Sequence, residues 1–144
     1  MRAVRGIQKL VGTTVLEVYM NKRYIRFVTD RGSYTFEAYG DCCSSTELYD
    51  FIGVQKLLLN RVLEVHEINL DGSHFKKPMD YEDVVAYYGI KFVVEDPQWG
   101  EMTAVLAFRN NSNGYYGGSL EDAQDREVYP RVFVDVIEAE DAPR

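Results

Sequence analysis

A chain that repeats itself must bury similar faces in similar ways, and this one carries a visible repeat. Residues 8–18 read QKLVGTTVLEV and residues 55–65 read QKLLLNRVLEV, an ungapped offset of 47 with seven of eleven positions identical. The likeness resumes at IRFV (25–28) and IKFV (90–93), where the offset has grown to 65, so the second copy holds 18 extra residues between the two blocks. Gly32 and Thr35 then align with Gly100 and Thr103 at an offset of 68. Three blocks in the same order point to an internal pseudo-twofold duplication, about 8–39 and 55–109, within a single domain spanning 1–144. A half of roughly 60 residues buries too little surface to stand alone, so the copies are expected to share one core.

Each copy reads as a three-stranded antiparallel meander. In the first, 14–20 alternates Leu16, Val18 and Met20 against Val15, Glu17 and Tyr19. Asn21-Lys22 and Asp30-Arg31-Gly32 mark turns on either side of 24–29, and 33–39 sets Tyr34, Phe36 and Ala38 on one face. In the second, 61–70, 87–95 and 101–109 take the same parts, with Asp96-Pro97-Gln98-Trp99-Gly100 as the longer turn. A seventh strand is expected over 131–137. Helix is scarce. Ser44-Ser45-Thr46-Glu47 fits a capping box, followed by Leu48, Phe51 and Ile52 on one helical face before Gly53; a second helical turn is expected at 120–124. These readings give an α+β fold: a β-rich antiparallel sheet from two repeated meanders plus a C-terminal strand, covered by one main short helix.

Composition narrows the function classes. The net charge of −7 argues against a protein that tracks nucleic-acid phosphates. No apolar run approaches the roughly 18 residues of a membrane span, and the broken apolar stretches of the opening segment predict no export leader. Cys42 and Cys43 are neighbours and cannot staple distant segments, so a reducing, cytoplasmic setting is expected. Two adjacent cysteines and two scattered histidines lack zinc-ligand spacing, and the glycines form neither a GxxxxGK[ST] loop nor a GxGxxG turn. No metal, cofactor or nucleotide is therefore expected. Eleven tyrosines and seven phenylalanines exceed what a core of this size encloses, which predicts a homo-oligomer.

The third strand of each copy runs into a polar stretch. Copy one gives Asp41, Cys42, Cys43 and Ser44; copy two gives Arg109, Asn110, Asn111, Asn113, Tyr115 and Tyr116, interleaved with glycines. Amides and a guanidinium pair with polar groups, the rings stack, and the glycines allow close backbone approach. Equivalent strand ends would bring both stretches together as a recognition set for a small polar or anionic ligand or a partner protein. In the alignment Arg109 matches Asp41, so an Arg–Asp pair across the pseudo-twofold is the structural alternative.

Two other chemistries compete. A thiolate at Cys42 or Cys43, just ahead of the expected helix, could act as a nucleophile if His66 or His74 came near. His66 falls on a strand at the position of Tyr19, and His74 lies in the insertion at 70–83, a solvated connection or a functional loop. The acidic balance, with its C-terminal tail, would also suit a mimic of nucleic acid if the carboxylates lined one face.

GDCCSS (40–45), VLEV and AFRNNSNGYYGG (107–118) together give the chain a family likeness. It resembles an uncharacterised small-protein family, a domain of unknown function common in actinobacterial bacteriophages and their hosts, across about 16–118. That resemblance supplies no catalytic residue. It implies a setting, a phage accessory protein acting in the bacterial host cytoplasm; with the two polar stretches and no catalytic constellation in the sequence, the expectation is a non-enzymatic protein that binds a host protein or a small polar ligand.

Overall fold

In a computed structural model, the chain is described at residues 4–40, 45–70, 84–112, 118–124 and 126–133. A short helix α1 (Val4–Ile7) and a 3₁₀ turn (Gln8–Leu10) lead into β1 (Val15–Met20), β2 (Tyr24–Thr29), β3 (Gly32–Gly40) and β4 (Ser45–Ile52). Helix α2 (Val54–Leu57) then precedes β5 (Arg61–Leu70), β6 (Val84–Asp96), β7 (Gly100–Ser112) and β8 (Gly118–Ala123). All strand pairs are antiparallel, in two sheets ordered β1-β2-β3-β8 and β4-β7-β6-β5. Each sheet is thus a meander completed by a strand from the other half of the chain. β4 follows the first meander yet pairs with β7; β8 follows the second yet pairs with β3.

The sheets share one apolar core, built by the period-two alternation of the strands. At its centre four phenylalanines, each at most 1% exposed, lock the layers together. Phe27 of β2 lies 5.7 Å from Phe92 of β6 and 6.2 Å from Phe51 of β4, centroid to centroid, and Phe36 stands edge-on to Phe27 at 6.0 Å. Phe27 and Phe92 are partners in the repeat alignment, so the central contact joins equivalent residues.

The turns ahead of β1 and β5 meet across the same relation. Gly12 N–H donates to Val62 O at 2.8 Å, and Leu59, 47 residues on, donates to Val15 O at 2.7 Å. Val15 N–H donates to Asn60 O (3.3 Å) while Val62 N–H donates to Thr13 O (2.9 Å). Each turn also puts a residue in the left-handed region: Gly12 at φ 87° and Leu59 at φ 66°. The bulges match as well, with register slips between Val15 and Glu17 in β1 and between Val62 and Glu64 in β5.

The β-rich antiparallel class stands, but three local expectations are corrected. Residues 45–52 form strand β4 instead of a capped helix, and the helix is α2, one turn later. A slip between Leu48 and Asp50 explains the misreading: the extra residue puts Leu48 and Phe51, three apart, on the same buried side of a strand, a spacing that also suits a helix. Residues 120–123 likewise belong to strand β8, with Leu120 opposite Ala38. Leu16, expected to share the core face with Val18 and Met20, is 38% exposed because the β1 bulge flips the alternation there; Val15 takes the inward place. Of the expected strand at 131–137, Arg131 makes an isolated bridge to Tyr19, and 134–137 lie outside the described residues.

The β6–β7 turn carries its own anion. Asp96 Oδ1 accepts the amides of Gln98 (2.7 Å) and Trp99 (2.9 Å), and Oδ2 accepts Asn60 Nδ2 at 3.2 Å. The Trp99 amide first, then that of Gln98, with Asn60 assisting, holds the carboxyl below its ordinary pKa.

Two outcomes follow from these turns. Leu59 is 71% exposed, so Leu59→Gly loses little burial and relieves a left-handed backbone; chemical denaturation should show it more stable by about 0.5–1 kcal/mol, whereas Gly12→Ala should be destabilised by a similar amount. Because Asp96 has a depressed folded pKa, its stabilisation is present above its unfolded value and disappears as pH falls through the folded one. Asp96→Asn should therefore melt lower than wild type at neutral pH, with the gap closing in the acid limb of a Tm-against-pH series.

Candidate functional site

The sheet topology gathers the ends of the strands that flank the two polar stretches. Gly40, the last residue of β3, pairs with Gly118, the first of β8. On the other sheet Ser45 pairs with Asn111, Thr46 with Asn110 and Glu47 with Arg109. Asp41, Cys42, Cys43 and Ser44 therefore link strand ends that lie beside those linked by Asn113, Tyr115 and Tyr116; all seven of these residues are outside the described ones. Arg109, Asn110 and Asn111 lie in a central strand, flanked across the sheet by Tyr87, Ala86 and Val85. The strand neighbour of Arg109 is Glu47, because the exchanged β4, and not an extension of β3, occupies that edge.

His66 sits exposed on β5 with Nε2 3.0 Å from Glu64 Oε1, and His74, like both cysteines, lies outside the described residues. Among the described residues no three His, Cys, Asp or Glu side chains converge as metal ligands. No helix there is long and apolar enough to cross a membrane.

A second concavity went unforeseen. After β8 the chain returns along the free edge of β1: Met20 N–H donates to Pro130 O (3.0 Å) and Val132 N–H to Val18 O (2.7 Å). Val128 and Val132 anchor this segment by burial, and Arg126 stacks 4.3 Å above the Tyr24 ring while donating to its hydroxyl at 2.9 Å. Between this segment and the outward face of β1 and β2 lies a cleft of about 300 Å³, walled by Glu17, Tyr19, Arg26 and Val28 on one side and 127–129 on the other.

The cleft is organised by one carboxylate. Glu17 Oε2 accepts Arg131 Nη2 at 3.0 Å and the Tyr19 hydroxyl at 3.1 Å. Desolvation first, then the hydrogen bond and charge of Glu17, raise the pKa of the Tyr19 phenol. Its ring meets Tyr129 edge-on at 6.4 Å. Among the described residues Arg26, cross-strand from Tyr19, reaches only the Ser33 hydroxyl, at 3.3 Å from Nη2, and its Nε–H is enclosed without an acceptor there. An enclosed unmet donor costs about 1–3 kcal/mol. The alternation in the sequence put Glu17 and Tyr19 on the outward face, but nothing local announced that residues more than a hundred positions later would wall it.

A family profile described as a domain of unknown function (DUF7448) matches residues 8–121, most of the chain. The chain belongs to this family. No curated protein matches it, and no solved structure does. The DUF7448 region opens at Gln8, where the first repeat block begins, and closes at Glu121 inside β8, so it takes in both exchanged strands. Glu127, Val128 and Tyr129 lie beyond it, and the second wall of the cleft comes from outside the family region.

Since burial as well as Glu17 raises the Tyr19 phenol, Glu17→Gln should bring its ionisation down only part of the way to the ordinary value. Difference absorbance of phenolate, taken against Tyr19→Phe in each background, measures this; no displacement would show that Glu17 does not govern Tyr19.

Proposed function

We propose that this DUF7448 protein is a non-enzymatic binding protein whose recognition surface is formed by the polar stretches at 41–44 and 109–116. The observation that supports this reading is the pair of registers Gly40–Gly118 and Ser45–Asn111, which set the flanking strand ends side by side on two different sheets. The strand ends on either side of the two stretches belong to sheets that share one core. Arg109 supplies the cation, Asn110, Asn111 and Asn113 the amides, and Tyr115 and Tyr116 the rings, with Asp41 to Ser44 opposite.

In this reading the protein is an accessory factor of phage type, acting in the bacterial cytoplasm on a host protein or a small polar, anionic ligand, and works as a homo-oligomer. Tyr39, Trp99, Tyr129 and Phe133 are each more than half exposed, which suits surfaces that are covered in an assembly.

The test is comparative. Wild type, Arg109→Ala and Asn111→Ala are used to capture proteins from bacterial lysate and, by native mass spectrometry, co-purifying small molecules. The species retained by wild type should bind Arg109→Ala about tenfold or more weakly, the loss expected for a charge-assisted hydrogen bond, while its Tm stays unchanged. Retained binding with a lowered Tm would make Arg109 a structural partner of Glu47 and remove the proposal.

A further inference from the structure

The cleft beneath the returning chain shares no residue with the polar stretches, and its charge arrangement calls for an explanation of its own. Its acidic and basic strand residues, Glu17 and Arg26, form no ion pair with each other. Glu17 spends its carboxylate on Arg131 and Tyr19, leaving Arg26, half-buried on the same surface, with no carboxylate partner among the described residues. A guanidinium offers five donors in a planar fork. Here the protein answers with one distant hydroxyl and encloses the Nε–H with nothing.

We propose that this cleft binds a small organic monocarboxylate, with Arg26 as its anchor. The carboxylate supplies the planar acceptor that Arg26 lacks. Glu17 and Glu127 both line the cleft and disfavour a dianion such as phosphate. The lining is mostly polar, and Val28 and Val128, with the rings of Tyr19 and Tyr129, supply a smaller apolar part against which a flat hydrocarbon body can lie. The volume, about 300 Å³, is at the small end of ligand sites and suits a molecule of one ring. One wall of the site is built by residues 127–129, which the chain's return along β1 holds in place through the backbone bonds at Met20 and Val132.

Wild type, Arg26→Met and Arg26→Lys are melted and titrated with acetate, benzoate and phenylacetate, with benzamide and inorganic phosphate as comparison probes. At least one carboxylate should bind wild type saturably and raise its Tm, while benzamide and phosphate do not. Arg26→Met should bind that carboxylate about tenfold or more weakly, yet melt unliganded at or above the wild-type temperature, because its unmet donors are gone. Arg26→Lys keeps the charge without the fork, and serves if the methionine variant does not fold; it too should bind more weakly. Amide shifts in wild type should concentrate in β1, β2 and 126–132. The proposal is overturned by no carboxylate response, by an equal response to benzamide or phosphate, by undiminished affinity in the variants, or by shifts confined to 109–112. That last result would instead favour a ligand at the polar stretches, so failure here and failure of the proposed recognition surface are told apart.

Discussion

Neither sheet can be assembled from its own half of the chain, because β4 and β8 cross over and each completes the other's sheet. Phe51 enters the core on β4, but packs against Phe92 at 5.6 Å on the strand sheet it has joined and against Phe27 on the one it has left. Leu120 is carried by β8 to the opposite layer in the same way. The exchange makes the phenylalanine cluster a joint property of both halves. A local opening of one meander would expose the strand that the other meander needs, so the two halves are expected to open together. The two exchanged pairings, β3 with β8 and β4 with β7, join residues more than fifty positions apart, and loop closure must precede the reward of burial.

The repeat builds the scaffold, and its breaches build the cleft. Val18 O and its offset partner Val65 O occupy equivalent places on β1 and β5, yet they accept different donors. Val65 O takes the Gln8 side chain at 2.8 Å, whereas Val18 O takes the Val132 amide at 2.7 Å. The returning chain thus closes one free edge with backbone bonds that the other edge does not receive from it. Protecting an edge strand is a structural need. Here the same segment also overhangs the polar face of β1 and β2, and turns a flat sheet surface into a concavity.

Electrostatics separate the two surfaces. Across the sheet Arg109 lies beside Glu47, so its strand position comes with an acidic neighbour. Arg26 forms no ion pair among the described residues, and Glu17 on the neighbouring strand is engaged by Arg131 at 3.0 Å. Among the described residues, Glu17 without Arg131 would keep only the Tyr19 hydroxyl as a partner. The same returning segment supplies the wall of the cavity and, two residues on, the arginine that occupies Glu17.

Periodicity and turn chemistry were enough to read the two meanders: Ile25 and Phe27, and Ile90 and Phe92, alternate inward as their spacing requires, and Gly32 and Gly100 hold the positive φ that their hairpin turns demand. Matched positions of the first repeat block bear matched burial, Leu10 with Leu57 and Val15 with Val62. Strand β4 was not, since a bulge mimics helical spacing and the partner that makes it a strand, β7, lies some sixty residues downstream. Leu59 hid its left-handed turn behind a side chain that gives no local sign of it, though its repeat mate Gly12 did. For the candidate surfaces the same division holds. Residue chemistry by itself marked Arg109 and its asparagines, because polar groups and glycines cluster along the chain there. Arg26 and Glu17 look like ordinary outward residues of two strands. Only the tertiary structure decided that one would be paired, the other left without a counter-ion, and both covered, because a charge's partners are set by which distant segment packs against it.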